Sequence, residues 1–419
     1  MRSNPGDVVK SILSRRSAFA KNSILEEERV VESLEKEGRK VIALNRGDPP
    51  AYFPTPKYII DAYVRALRAN HTGYSRAEGI FELIDAILKR YSRMYGVSAD
   101  EHDIIVTAGI TEGLHFLNAS LINGGDQAII FSPYYNQYMS QLRMDGGVPI
   151  LERYDESNSW NIDTDGVKRS LLRLKAQKKL HKVKYMIITN PNNPTGTVLK
   201  RSVLEDIADI ANDYGVLLVS DEIYDEIIYN GASFTTMSKI AKGMPHVIFN
   251  GASKDYDATG FRIGYALVPE RDKVSMQLKE KLADMARVRL SVNTPAQYAV
   301  AEAMNNVKEH ARSISKMVSS IERSVNYAMK RINANQYLSA VRPNGAFYIL
   351  PRVDFKALRL KGDHEFVDKL LKSTGVQLSR GSGFGAPSHI RIVALPQKKI
   401  LEYAMDKIDD FCARNARKQ

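Results

Sequence analysis

The sequence predicts an α/β protein: a large domain on a mostly parallel sheet between helices, with a smaller α+β domain beside it. Three observations carry that prediction. Between Asp103 and Pro269, seven short apolar runs rich in β-branched residues alternate with helix-like segments. After Ser275 the pattern changes to long helices, then to short strands mixed with helices. At 419 residues the chain also exceeds what a single hydrophobic core usually holds.

The seven runs, in order, are Asp-Ile-Ile-Val106, Gln-Ala-Ile-Ile-Phe131, Val148-Pro-Ile-Leu151, Tyr185-Met-Ile-Ile188, Val216-Leu-Leu-Val219, His-Val-Ile-Phe249 and Ile263-Gly-Tyr-Ala-Leu-Val268. Their length and branching favour strands buried on both faces. Helical segments intervene, as at Thr111 to Leu121 and Leu204 to Tyr214, which makes most neighbouring strands parallel. The last run follows its predecessor too closely for a helical crossover, so antiparallel pairing is expected there. From Ser275 the chain reads as helical to about Asn333, followed by strands at Ala346-Phe-Tyr-Ile-Leu350 and Ile390-Arg-Ile-Val393. Residues 24–45 are expected to pack with this second region, and Ser23-Ile-Leu-Glu26 reads as the start of a capped amphipathic helix. The division expected is 56–304 for the large domain, with 1–55 and 305–419 forming the small one.

Composition bounds the function. Hydrophobic content of 44% and charged content of 26% describe an ordinary soluble globular protein. No apolar run approaches the roughly 18 residues needed to span a bilayer. The single cysteine, Cys412, excludes an internal disulfide and points to a reducing compartment. Arg2, Lys10, Arg15 and Arg16 give the N-terminus a transit-peptide look, but Asp7 interrupts it and there is no secretory apolar stretch. A cytoplasmic location is expected.

The net charge of +12 raises nucleic acid as a partner. Much of the excess falls between Lys168 and Lys184, where Leu171, Leu172, Leu174 and Leu180 would form the apolar face of one helix and the cations its wet face. No aromatic residues interleave with those cations, so nucleic acid is not expected. The positive excess suits anionic small molecules instead.

Ligands of open α/β sheets bind beyond the carboxyl ends of the strands. Three of the runs end in groups of related chemistry. Tyr185-Met-Ile-Ile188 leads into Asn190-Pro-Asn-Asn193-Pro194-Thr195-Gly196, Val216-Leu-Leu-Val219 into Asp221-Glu-Ile-Tyr224, and His-Val-Ile-Phe249 into Ser253-Lys254 with Arg262 further on. Taken singly these are ordinary features: a solvated lysine, an aspartate cap and a turn sequence. Together they point to pyridoxal 5′-phosphate. A Schiff-base lysine needs a deprotonated amine, which burial and a nearby cation favour. A phosphate needs a guanidinium fork and hydroxyl donors, which Arg262 and Ser253 offer. A carboxylate such as Asp221 keeps a pyridine nitrogen protonated, and Tyr224 and Asn193 can donate to a phenolic oxygen.

The first run opens into Thr107-Ala-Gly109-Ile110-Thr111-Glu112 before a helix, an anion cradle in which Thr111 would also cap the helix. Pro133-Tyr134-Tyr135 offers a ring to stack on a heterocycle. No dinucleotide or Walker signature follows any strand, and no metal is expected.

At these residues the chain resembles the class I/II aminotransferases, pyridoxal-phosphate enzymes of fold type I. The likeness runs from about Ile24 to the C-terminus. It rests on Gly47-Asp-Pro, Tyr74 with Gly79, Asn-Pro-Asn-Asn-Pro-Thr-Gly196, Asp221-Glu-Ile-Tyr224, the lysine loop, and Gly383-Phe-Gly385 followed by Ile390-Arg391.

The resemblance implies a ping-pong transfer of an amino group from an L-amino acid to 2-oxoglutarate. Lys254 would bind the cofactor and shuttle a proton, Asp221 hold the pyridinium, and Tyr224 and Asn193 hold the phenolic oxygen. Tyr135 would stack on the ring. Arg262, Ser253, Thr111 and the Ile110 amide would bind the phosphate. Arg391 would clamp the substrate α-carboxylate with the Gly47 backbone and Asn193. Tyr74 would reach the phosphate of a second subunit, which implies a homodimer.

Relatives often carry serine where this chain has Gly251, so one phosphate hydroxyl is missing. That replacement, with Asn250-Gly-Ala-Ser-Lys254 and Gly381-Ser-Gly-Phe-Gly385, resembles archaeal alanine aminotransferases. Relatives that read dicarboxylates have an arginine where this chain has Val288, flanked by Arg287 and Arg289. In an extended strand that shift turns both arginines to the other face. Alanine is therefore the first expected donor and aspartate the second. The alternatives are an aromatic or branched-chain aminotransferase and a carbon–sulfur β-lyase using the same pocket. A DNA-binding regulator with an aminotransferase-like domain would need a further module, for which the roughly twenty residues before the likeness leave too little chain.

Overall fold

The computed structural model describes residues 13–20 and 28–416. The helix start expected at Ser23 lies outside the described residues. The chain first forms α1 (Glu28–Lys36), β1 (Ile42–Ala43), α2 (Lys57–Arg68) and α3 (Phe81–Tyr95). The sheet region follows with β2 (Ile104–Thr107), α4 (Ile110–Leu121), β3 (Gln127–Ser132), α5 (Asn136–Met144), β4 (Val148–Asp155) and β5 (Asn161–Ile162). It continues through α6 (Thr164–Ala176), β6 (Val183–Thr189), α7 (Arg201–Tyr214), β7 (Leu217–Asp221), α8 (Met237–Ile240), β8 (His246–Gly251) and β9 (Gly264–Leu267). Helices α3 and α7 both stop at a left-handed glycine, Gly96 and Gly215, which closes the last turn without a Cβ penalty.

All seven expected strands form, in the order β2-β9-β8-β7-β6-β3-β4, with β5 added at the far edge. β3, β4, β6, β7 and β8 run parallel. β9 pairs antiparallel with both β8 and β2, as its short connection requires. The eighth strand escaped prediction because two residues carry no periodicity. The sheet's two faces bury separate apolar clusters, one holding Ile129, Met186, Leu218 and Ile248, the other Ile130, Ile187, Val219 and Val247. The central strands are thus buried on both faces.

Three expectations need correction. β4 is not buried on both faces: it lies next to the edge, and Val148 and Leu151 are 45% and 52% exposed. The cationic helix ends at Ala176, so Leu180 sits in a separate 3₁₀ turn, while Leu172 faces solvent at 55% exposure. Lys178, at φ 55°, marks the break.

The third part consists of α9 (Lys273–Arg289), α10 (Thr294–Asn305), α11 (Val307–Ala334), β10 (Leu338–Ser339), β11 (Tyr348–Ile349), β12 (Arg352–Val353), α12 (Asp363–Thr374), β13 (Val376–Gln377), β14 (Ser379–Arg380), β15 (Ile390–Val393) and α13 (Lys398–Ala416). A second core gathers residues of α11, α12 and α13 with Leu44, and β1 pairs with β13. Ile42 to Leu44 of the early segment thus pack against this region. The third correction concerns Arg287 and Arg289, which belong to α9 rather than to an extended strand.

Candidate active site

A cavity of about 280 Å³ opens at the carboxyl ends of β6, β7 and β8 and is closed by β11 and β15. Gly47, Ile110, Thr111, Tyr135, Asn193, Asp221, Tyr224, Ser253, Lys254, Arg262 and Arg391 all line it. Of the residues singled out from sequence, only Tyr74 stands apart. It is 85% exposed and faces a different groove.

Each side chain is placed by its element. Lys254 follows β8, and its Nζ donates to the Gly47 carbonyl at 2.6 Å. The half-buried amine faces the cavity, and the desolvation it meets there lowers its pKa to about 8. Asp48 opposes that shift, whereas Arg262 and Arg391 add to it. The lysine is therefore poised as a nucleophile near neutral pH.

Asp221 ends β7 and is fully enclosed; burial raises its pKa to about 6. Tyr138 donates to its Oδ2 at 2.5 Å and the Ile223 N–H to its Oδ1 at 3.2 Å, both holding it toward the ionised form. Tyr224 shares a hydrogen bond of 2.9 Å with the Tyr348 hydroxyl. Tyr135, at the N-cap of α5, sets its ring edge-on to Tyr138 at 5.6 Å.

Arg391 lies on β15 and is 1% exposed. Its Nη1 donates to Asn193 Oδ1 at 2.9 Å, and its Nη2 donates to the Asn45 carbonyl and, at 3.2 Å, to Ser379. Phe384 and Tyr348 flank the guanidinium at 4.3 and 4.7 Å. A buried cation so fixed, with no carboxylate among these partners, is fitted for a ligand carboxylate.

At the other end, Arg262 takes a left-handed backbone at φ 58° and donates to the Thr259 and Ala108 carbonyls. Its guanidinium lies against Gly109, where an added Cβ would sit 2.4 Å from Nη2. Glycine is what lets this cation approach the N-terminus of α4. The cap there is Gly109 itself, so Thr111 falls inside the first turn and does not cap the helix. Glu112 instead accepts the Ala108 N–H and pairs with Arg289 at 2.6 Å.

Packing explains why Gly251 lacks a side chain. It pairs with Gly264 across β8 and β9, and a Cβ would come within 2.6 Å of the Ile263 carbonyl. A serine hydroxyl is excluded by backbone contact.

Asp48, Gln137, Tyr138, Thr259 and Tyr348 also line the cavity and were not singled out. Tyr138 was within reach of sequence reasoning. It lies three residues beyond Tyr135, the spacing that brings helix residues to one side. Tyr348 had no such signal, because nothing local says which strand closes the cavity.

The fold and pocket together define an enzyme site: a nucleophilic lysine, a buried carboxylate, and two anion-binding cations at opposite ends. Such a donor set fits pyridoxal 5′-phosphate, with Asp221 for its ring nitrogen and Arg262 with the α4 N-terminus for its phosphate. Known proteins agree. The family model for aminotransferases of class I and II matches residues 39–408. An aspartate aminotransferase from Bacillus sp. (strain YM-2) is 33% identical over 90% of this chain and 93% of its own. The glutamate-pyruvate aminotransferase of Escherichia coli is 30% identical over 90% of this chain and 92% of its own. The solved alanine aminotransferase of Pyrococcus furiosus superposes with a TM-score of 0.90 at 33% identity, covering 96% of this chain and all of that one. The chain belongs to the class I and II aminotransferases, enzymes that depend on pyridoxal phosphate.

Proposed function

We propose that this aminotransferase takes L-alanine as its preferred donor and 2-oxoglutarate as acceptor, with L-aspartate second. One observation carries the donor preference. The cavity's cations are Lys254, Arg262 and Arg391, and the site chemistry already commits each of them. Nearby, Arg289 is tied to Glu112 and Arg287 to Glu78, while Val288 is 84% exposed. Among the described residues of this chain, no free guanidinium lies beside the cavity for a distal carboxylate, which ranks alanine above aspartate as donor, whereas the 2-oxoglutarate acceptor rests on the glutamate named for the Escherichia coli relative. The names of the Escherichia coli and Pyrococcus furiosus relatives support the glutamate and alanine pairs.

The bound cofactor supplies an aldehyde carbon for the lysine and a ring that withdraws electrons from the substrate α-carbon. The protein residues do the rest. Arg391 and Asn193 hold the substrate α-carboxylate, helped by the Gly47 backbone. Lys254 Nζ would take the proton from the substrate α-carbon and deliver it to the cofactor carbon that carried the aldehyde. Asp221 keeps the ring nitrogen protonated, Tyr224 and Asn193 serve its phenolic oxygen, and Tyr135 stacks on it. Arg262, Ser253, Thr111 and the Ile110 amide hold the phosphate. Residues 56–304 form the cofactor-binding domain in this reading, with 1–55 and 305–419 as the smaller one, and two chains associate so that Tyr74 serves the neighbouring site.

The test is a half-reaction. The cofactor-loaded protein is mixed with alanine, aspartate, a branched-chain and an aromatic amino acid, and cofactor absorbance is followed. Alanine is expected to convert it fastest. Conversion by aspartate orders of magnitude faster overturns the ordering.

A further inference from the structure

Two residues of the site, Tyr224 and Lys254, are each followed in sequence by an acid, Asp225 and Asp255. Neither acid lines the cavity. Both converge behind it on Arg90 of α3, which is 1% exposed. Arg90 Nη2 lies 2.9 Å from each Asp225 oxygen, 2.8 Å from Glu226 Oε1 and 3.7 Å from Asp255 Oδ2. Tyr95 donates to Asp225 Oδ2 at 2.5 Å. His310 of α11 sits 3.0 Å from Glu226 and stacks on Tyr256 at 4.1 Å. One buried cluster thus ties together α3, the segment after β7, the lysine loop and α11.

Its charges do not balance. Ligand atoms of Asp225, Glu226 and Asp255 lie within 4.8 Å of one another, and the cation set among them is Arg90. Asp225 is doubly engaged by Arg90, and Glu226 meets both Arg90 and His310. Asp255 is 1% exposed, and neither of its oxygens makes a hydrogen bond. Burying a third uncompensated carboxylate costs several kcal/mol, which uptake of a proton avoids.

We propose that Asp255 is a positioning residue held as the neutral carboxylic acid, turned toward Asp225, and that this pair fixes the backbone presenting Lys254 and Tyr224. The inference rests on the cofactor site described above. Burial, then Asp225 and Glu226, raise the Asp255 pKa well above the usual carboxylate range, and Arg90 opposes them. The groups facing it are Arg90 and Tyr95 of α3, Asp225 and Glu226 after β7, neighbouring Tyr256, and Tyr265 of β9, with His310 behind Glu226. Ionising Asp255 at alkaline pH puts an extra negative charge behind the lysine and loosens the loop. A raised acid pKa stabilises the folded arrangement at low pH, and that stabilisation is lost as pH rises through the folded value.

The experiment compares the cofactor-loaded wild type with Asp255→Asn, an amide that copies the neutral acid's shape and donor. Cofactor affinity and absorbance are followed from about pH 6 to about pH 10. The wild type should lose cofactor at the alkaline end. Asp255→Asn should match it near neutrality to within about threefold, less than 1 kcal/mol, and lack the alkaline loss. A neutral-pH affinity weakened about tenfold or more (at least 1.4 kcal/mol) overturns the proposal. So does an alkaline loss that persists in the variant or is missing from the wild type, or a variant that fails to fold. A wild type that binds no cofactor at any pH would instead defeat the reading of the cavity.

Discussion

Asp221 shows how one side chain sets a working range. Its pKa lies near 6 because burial outweighs the donors that favour its charge. A protonated Asp221 cannot hold a pyridinium, so activity should fall as pH drops through about 6. Tyr138 is the largest of the opposing influences. Tyr138→Phe removes a hydrogen bond to a charged group, worth about 1.5–3 kcal/mol, and so raises the acid limb by about one to two pH units. A pH–rate profile checks this; an acid limb left in place would mean that Tyr138 merely packs. Lysine and aspartate were legible because each followed an apolar run, with Arg262 further along the same loop, whereas Arg391, inside β15, was legible only through the family resemblance. Their mutual distances were not, since Arg391 reaches Asn193 across nearly two hundred positions of sequence.

At the scale of elements, periodicity succeeded where burial was uniform and failed where it was mixed. β6 and β7 are buried almost throughout, and their apolar runs announced them. β4 alternates near the sheet edge, so its run was read as more deeply buried than it is. α9 keeps its helical register through Arg289, as the helical reading from Ser275 implied, so the extended geometry assumed around Val288 was at odds with that reading. The β8–β9 pair shows an element fixed by what it lacks. Gly251 and Gly264 face each other, and a methyl group on Gly251 would lie 2.6 Å from the Ile263 carbonyl and 2.7 Å from the Gly264 Cα. Backbone cannot yield as a side-chain tip can. Gly251→Ala should therefore cost about 1–3 kcal/mol and lower the thermal midpoint by several degrees. Because the lysine follows this strand, cofactor affinity should weaken with it. Unchanged melting would show that the sheet relaxes more freely than this packing implies.

At the scale of the molecule, the exposed apolar residues are unevenly spread. Ile60, Val64 and Leu67 recur at helical spacing along α2, and Tyr74 and Phe81 follow with 85% and 58% exposure. A stripe of this kind is characteristic of a surface that another chain covers. If two chains pair there, and Tyr74 of the partner subunit completes each cofactor site, then two different inactive variants should rescue each other. Lys254→Ala destroys the site in its own chain, whereas Tyr74→Ala damages only the site across the interface. In a mixed pair, one site carries both substitutions and the other carries neither. Co-refolding the two variants should then give activity above that of either alone, with one intact site per mixed dimer. Sedimentation should report about twice the 47.0 kDa of one chain. Additive, unrescued activity in a proven dimer would place Tyr74 outside the neighbouring site and leave each chain to bind the phosphate with Arg262, Ser253 and α4 alone.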